Sequence, residues 1–289
     1  MPIIDTTNKS LRELIGVHLW HAEMSSCSQR VRIALAEKSI QYTSNIIDLH
    51  AGENASAEYQ AIHPLGLVPA IVIDGELIIE SIDIIDEVDQ RYGQSSLRPQ
   101  QEKDKVVMLD LMKRADDAQP SLKLLTFEFL FSAAPPVSAE AFTQFQRNHK
   151  NAQLTQFFRD FKKGFSHDRV LAAITKCHED FLLLDQLLSD GRTYLAGEEF
   201  TLADVSWSPN FHRFDLFQWP LEQYPALSAW FARLKLRPSY KQGVVDWEPG
   251  GFSNLVQPRI RARREAGEGV DSYFPMLNLA DTTPRNNIC

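Results

Sequence analysis

Ser25, Ser26, Cys27 and Ser28 put three hydroxyls and a thiol in four consecutive positions. A short apolar run, Gly16 to Trp20, precedes them, and a helix-patterned run, Arg30 to Lys38, follows. The cluster therefore falls where a strand hands over to a helix N-terminus. Unpaired backbone N–H groups and the positive end of the helix dipole favour an anion at such a place. A thiolate is the anion this set of side chains could stabilise, whether from Cys27 or from a ligand. Serines here also serve as ordinary N-caps, and a free cysteine can simply fill apolar space.

The elements needed to position that cluster are legible downstream. Ile40 to Leu49 reads as a second strand after a crossover helix, which implies a right-handed parallel unit. A short helix-compatible stretch, Ser56 to Ile62, ends before Pro64. Two apolar runs, Ala70 to Ile73 and Glu76 to Ile79, are joined by Asp74-Gly75, a strong type I′ hairpin signal. Ile82, Ile85 and Val88 then recur at helical spacing, with Ser81 as the expected N-cap. Strand-helix-strand followed by hairpin-helix is the order of an α/β thioredoxin-like domain. Beyond polar punctuation at Gly93 to Pro99 the pattern becomes helical throughout, with stripes such as Phe181, Leu184, Leu187 and Leu188.

Composition bounds the rest. The chain has 289 residues, enough for one to two domains with a sizeable core, and its 44% hydrophobic and 24% charged content is ordinary for a globular protein. A net charge of −8 argues against a general nucleic-acid surface. No apolar run is long enough to span a membrane, and Met1 to Thr6 does not read as a signal peptide. Cys27, Cys177 and Cys289 give neither a disulfide framework nor metal spacing, and the eight histidines show no metal spacing either. A reducing cytoplasm is the expected compartment.

Five motifs in order resemble the glutathione S-transferase family. Ser25-Ser26-Cys27-Ser28 with Arg30-Val31-Arg32-Ile33-Ala34-Leu35 is similar to the opening of its zeta-type and related bacterial members. Val68-Pro69 is similar to its cis-proline element and Glu80-Ser81 to its glutathione-binding pair. Phe200 to Asp204 resembles its helical-domain capping motif. Tyr224-Pro225-Ala226-Leu227 with Trp230 and Arg237-Pro238 resembles its late helix. The resemblance implies the glutathione S-transferase fold: a thioredoxin-like domain over 16–93, a linker at 94–101 and an all-α domain over 102–250. Residues 1–15 would be an extension. Residues 251–289 would be a tail, with 267–289 extended over the surface or poorly ordered.

It also implies roles. Glutathione would be the cosubstrate, without a metal. Ser25 would contact its sulfur, as in zeta enzymes, with Ser26 beside it. Cys27 aligns with the essential cysteine of chlorinated-hydroquinone dehalogenases, and Ser28 with a serine of β-etherases. Val68, freed by a cis Pro69, would pair with the cysteinyl backbone. Ser81 would receive the γ-glutamyl carboxylate and Glu80 its ammonium. Asp204 would be structural, as part of a capping box. A dimer, homo- or hetero-, is implied as well.

Residues 125–170 depart from the compact form of the fold. They hold Phe127, Phe129, Phe131, Phe142, Phe145, Phe157, Phe158, Phe161 and Phe165, nine of 17 phenylalanines, with Pro135-Pro136 as a break. Added helices need a core of their own, and a pocket for an aromatic second substrate needs the same residues. The extension resembles the enlarged helical domain of bacterial enzymes that cleave lignin β-aryl ethers, and that of the dehalogenases. Attack of glutathione thiolate on an aromatic electrophile is the expected reaction, most specifically β-aryl-ether cleavage. The alternatives are reductive dehalogenation or glutathionyl-aromatic reduction through Cys27, zeta-type cis–trans isomerisation, and a non-catalytic glutathione-binding assembly subunit.

Overall fold

The computed structural model describes residues 3–4, 6, 8–93, 96–132 and 138–280. Its sheet contains β1 (Ile3–Ile4), β2 (Val17–His21), β3 (Thr43–Ile46), β4 (Ala70–Ile73) and β5 (Glu76–Ile79), in the order β1-β5-β4-β2-β3. β2 and β3 run parallel, and the other neighbours are antiparallel. A four-residue helix α1 (Lys9–Arg12) precedes β2, α2 (Ser26–Glu37) makes the crossover, and α3 (Ala57–Gln60) and α4 (Ser81–Arg91) complete the unit. β4 is buried along its whole length, as a central strand covered on both faces must be.

The Asp74-Gly75 turn carries φ of 48° and 85°, the two positive angles of a type I′ hairpin. A Cβ on Gly75 would come within 2.5 Å of the Arg12 carbonyl oxygen, so glycine is required there. Asp74 Oδ1 accepts the Gly16 N–H at 2.8 Å, which ties the hairpin to the start of β2. Two elements differ from the sequence reading. Residues 1–15 supply an edge strand and the buried Leu11, and β3 is shorter than the run that suggested it.

The helical region contains α5 (Glu102–Asp117), α6 (Gln119–Thr126), a π-helical turn at Phe127–Phe131, α7 (Ala139–Asn148) and α8 (Ala152–Lys163). The longest helix, α9 (His167–Leu188), follows, then α10 (Leu202–Leu216), α11 (Pro225–Lys235) and α12 (Pro238–Gly243). Nearly every residue of α10 is buried, because it runs through the centre of the domain. The capping box is present: Asp204 Oδ2 accepts the Thr201 N–H at 2.8 Å, while Oδ1 accepts from Leu195 N and Trp230 Nε1. Pro135-Pro136 lies outside the described residues.

Of residues 267–289, expected to be extended or poorly ordered, 270–280 are helical. The stretch 252–280 folds as α13 (Phe252–Glu265), a 3₁₀ turn at Val270–Tyr273 and α14 (Phe274–Ala280), which together bury Val256, Ile260, Val270, Phe274 and Leu277. The basic run Pro258 to Arg264 lies on α13, where Arg263 pairs with Glu128 at 2.9 Å. No helix among the described residues is long and apolar enough to cross a membrane.

Candidate active site

The α2 N-terminus sorts the four cluster residues by what each hydroxyl or thiol already does. Ser25 is the N-cap, and its Oγ accepts the Ser28 N–H at 3.2 Å. Accepting that bond leaves its own O–H to donate elsewhere. Ser26 Oγ donates to Gln119 Oε1 at 3.0 Å, and the Cys27 thiol donates to the same oxygen at 3.6 Å. Ser28 is fully buried, and its Oγ accepts the Ala22 N–H at 3.2 Å, at the strand-helix junction. Ser25, Ser26 and Cys27 are therefore half-exposed together, and Ser28 faces away into the fold.

Gln119 begins a polar chain that runs inward. Its Nε2 donates to Asn210 Oδ1 at 2.8 Å, and Asn210 Nδ2 donates to the Ala115 carbonyl at 3.2 Å. The fully buried Arg30 meets the same residues. Its guanidinium donates to the carbonyls of Ser206 (2.9 Å) and Ala115 (2.7 Å), to Ser81 Oγ (3.2 Å) and to Asp116 (3.2 Å). Arg30 thus ties α2 to α4, α5 and α10.

That chain ends at a second cluster. The Val68–Pro69 peptide is cis and leads into β4. Glu80 has φ of 66° and occupies the cap position of α4 without a side-chain capping bond, so the helix starts at Ser81. The expected Ser81 cap is replaced by a Ser81 hydroxyl turned to Arg30, because Arg30 needs an acceptor in the core. A recess of about 360 Å³ opens between Glu80, Asp83, Asp86, Met112 and Asp116. Burial first, and then the charges of Asp116 and Asp83, push the Glu80 carboxyl above its ordinary value. Excess negative charge of this kind suits an ammonium group.

On the other side of Cys27 lies the aromatic insertion. Phe127 is at its centre, edge-to-face with Phe131, Phe157, Phe158 and Phe161 at 5.0–5.5 Å between ring centroids. These rings are half-buried, whereas Phe129 is buried against Phe217 and serves the core. Lys123 stands four residues after Gln119 on α6, with its ammonium 4.3 Å from the Phe157 centroid and 5.6 Å from that of Phe158. Burial holds its pKa down at about 8, against the opposing pull of Cys27.

The end of α7 is fastened to the thioredoxin-like domain. Gln60 donates to the Asn148 carbonyl and accepts from Lys150 N, both at 2.9 Å, and Asn54 Nδ2 donates to His149 at 3.1 Å. Gly66, at φ of 56°, sits so close that a Cβ would meet Asn54 O at 2.5 Å and His149 Nε2 at 2.8 Å.

Sequence reasoning missed Arg30, Gln119, Lys123 and Asn210 as site residues. The available signals were an arginine inside an apolar helix and an asparagine amid the apolar run of α10. A cleft of about 770 Å³ lies elsewhere, near Arg32, Tyr42, Arg237 and Trp247. Its arginines are already engaged: Arg237 pairs with Glu37, and Arg32 donates to the carbonyls of Gly243, Ala22 and Glu23. Among the described residues no group of three His, Cys, Asp or Glu side chains could hold a metal ion.

Two family models match this frame, the glutathione S-transferase N-terminal domain over residues 24–91 and the C-terminal domain over 146–233. The chain belongs to the glutathione S-transferase family. Members of this family use glutathione as cosubstrate. The chain is 28% identical to "Glutathione S-transferase Z2" of Arabidopsis thaliana, over 80% of this chain and 92% of that protein. It is 29% identical to a "Probable maleylacetoacetate isomerase" of Caenorhabditis elegans, over 78% and 91%. Among solved structures it shares its fold with β-etherase LigF of Sphingobium sp. strain SYK-6, at a TM-score of 0.70 and 23% identity over 78% of this chain and 98% of that one. A theta-class glutathione S-transferase of Xanthomonas axonopodis with glutathione bound superimposes at 0.62, also with 23% identity, over 80% and 98%.

Proposed function

We propose that this glutathione transferase displaces a phenolate or halide from an aromatic electrophile with the thiolate of bound glutathione, and that cleavage of a lignin-type β-aryl ether is the specific reaction. The observation that carries this reading is the meeting of the Ser25–Cys27 helix terminus with the phenylalanine insertion at Gln119 and Lys123. Glutathione would lie from α2 to α4, its cysteinyl backbone along Val68 next to cis Pro69. Its γ-glutamyl carboxylate would sit at Ser81 and the α4 N-terminus, and its ammonium at Glu80 and the acidic recess.

Ser25 is the hydroxyl assigned to the sulfur, because Ser26 and Cys27 both donate to Gln119 and Ser28 is buried. A free thiol has a pKa of ~8.5. Lowering it by about two units corresponds to about 2.7 kcal/mol of preference for the anion. One charge-assisted hydrogen bond and the helix terminus are of that order. In the ether reaction the thiolate attacks the carbon next to a ketone, the C–S bond forms, the C–O bond breaks and a phenolate departs. The exposed Val106 and Leu109 on α5, near the acidic recess, fit the dimer that the family resemblance implies.

A second reading, zeta-type cis–trans isomerisation, is favoured by relatives whose names include maleylacetoacetate isomerases. The deciding experiment incubates protein and glutathione with a β-aryl-ether ketone carrying a reporter phenol, and in parallel with maleylacetoacetate. Phenol released in equal amount with a glutathione thioether supports the ether reading. Isomerisation without phenol release replaces it with the second. Activity on neither, from protein that binds glutathione, rejects both and moves attention to halogenated hydroquinones and Cys27.

A further inference from the structure

Lys123 has features that packing does not require. Its ammonium is largely buried over two phenylalanine rings, and among the described residues no carboxylate pairs with it. The acidic group whose field it feels is the Cys27 thiol, and His149, at the end of α7, feels Lys123 in turn. A buried cation lacking a counter-ion is costly unless something else compensates for it. Nearby, Arg213 repeats the pattern. It is 3% exposed, donates to the Met24 carbonyl just before Ser25, lies 5.8 Å from the Phe131 centroid, and has a buried Nη1 with no partner. Two cations thus flank one cluster of aromatic rings at the α2 N-terminus.

We propose that Lys123 and the rings around it form an oxyanion subsite, which takes the phenolate oxygen of an aromatic substrate or leaving group and returns a proton to it. This rests on the proposed displacement chemistry for the identity of the leaving group. The balance is simple and redox-neutral. When the C–O bond breaks, its electron pair stays on oxygen. The phenolate then takes a proton from the Lys123 ammonium, leaving a neutral amine. The amine recovers its proton from the thiol of the next glutathione, which becomes the thiolate for the following turn. An ordinary phenol has a pKa of ~10 and a free thiol ~8.5, so a lysine held near 8 can exchange protons with both.

The test does not depend on turnover. 4-Nitrophenol is titrated by its phenolate absorbance on the protein–glutathione complex. The wild type should bind it and lower its apparent pKa by about 1–3 units, the effect of one opposite charge close by. Lys123→Met should abolish that shift, with Lys123→Gln as a second neutral variant. Lys123→Arg should restore it. Lys162→Met serves as control, because Lys162 is an exposed lysine over a different ring, Phe142, and it should keep the wild-type shift. An equal shift in Lys123→Met, or no binding by the wild type, overturns the subsite. The ether reading is scored separately with the same proteins. A wild type that shifts nitrophenol but cleaves no ether loses the reading and keeps the subsite, whereas ether cleavage unchanged by Lys123→Met loses the subsite and keeps the reading.

Discussion

The two sides of the α2 N-terminus are built by opposite rules. Toward α4 most polar groups of the network are committed: Arg30 satisfies five acceptors, Gln119 and Asn210 hold each other, and Ser81 faces Arg30. Toward the insertion the rings are half-buried, and the two cations lack full partners. A saturated network can recognise one ligand with fixed geometry, because any misfit leaves a buried group unpaired. A half-open aromatic wall tolerates different shapes and selects on ring character and charge. The comparison separates a side that would hold the constant cosubstrate from a side that would choose the variable one.

Removing Arg30 should break the committed side most severely. Arg30→Ala deletes a fully buried side chain together with its bonds to the Ser206 and Ala115 carbonyls, Ser81 Oγ, Asp116 and Asn210 Oδ1, so a loss of about 3–5 kcal/mol is expected in urea unfolding. A loss under 1 kcal/mol would show that the network is not saturated. Ser25→Ala should next cost about 10²-fold in kcat/KM, the usual effect of removing one donor to a developing or bound anion. Its stability loss should stay near that of an N-cap, about 1 kcal/mol.

The committed domain also predicts a pH response. His21 accepts from Arg32 Nη1 and contacts Ser44 through Nε2, which requires a neutral ring. Burial first, and then Arg32, hold its pKa at about 3, and burial holds His63 at about 4. Both lie below the ordinary 6.5, so the unfolded chain takes up these protons first as the pH falls. Stability should be full above pH 6.5 and decline by about 1.4 kcal/mol per pH unit for each histidine, until His63 and then His21 titrate in the native state. Urea midpoints measured from pH 7 to pH 5 check this. A flat profile contradicts it, and His21→Gln should roughly halve the slope.

On the open side effects should be smaller and substrate-dependent. Phe157→Leu removes one edge of the wall and should raise KM for aromatic electrophiles several-fold, with a melting temperature within a few degrees of wild type. An equal KM change for glutathione would blur the distinction between the two sides. Cys27→Ser should be mildest, within about threefold in kcat/KM, because a hydroxyl can still donate to Gln119. A loss of about 10²-fold or more would instead move the chemistry to a dithiol exchange at Cys27.

Legibility in the sequence followed the range of the interactions. The hairpin at Asp74-Gly75, the Ser25 cap and the Thr201–Asp204 box are local devices with local signals, and all three are present. The pair Ile3–Ile4 joins β5 across more than 70 residues with no turn to announce it. The packing of α13 and α14 was hidden by four arginines, although Val256 and Ile260 on one helix and Phe274 and Leu277 on the other are spaced for a buried face. Ser81 looked like a cap because serine usually is one, but a core arginine claimed its hydroxyl. Gln119, Lys123 and Asn210 reach the site only through folding, so their spacing along the chain carried no sign of it.

The assignment of Ser25 to the sulfur of glutathione is tested most directly by titrating the ultraviolet thiolate absorbance of glutathione bound to the wild type, Ser25→Ala and Cys27→Ser. The expected apparent pKa lies about two units below the free thiol in the wild type and in Cys27→Ser, and returns toward ~8.5 in Ser25→Ala. A depressed value that survives Ser25→Ala and vanishes in Cys27→Ser would contradict it.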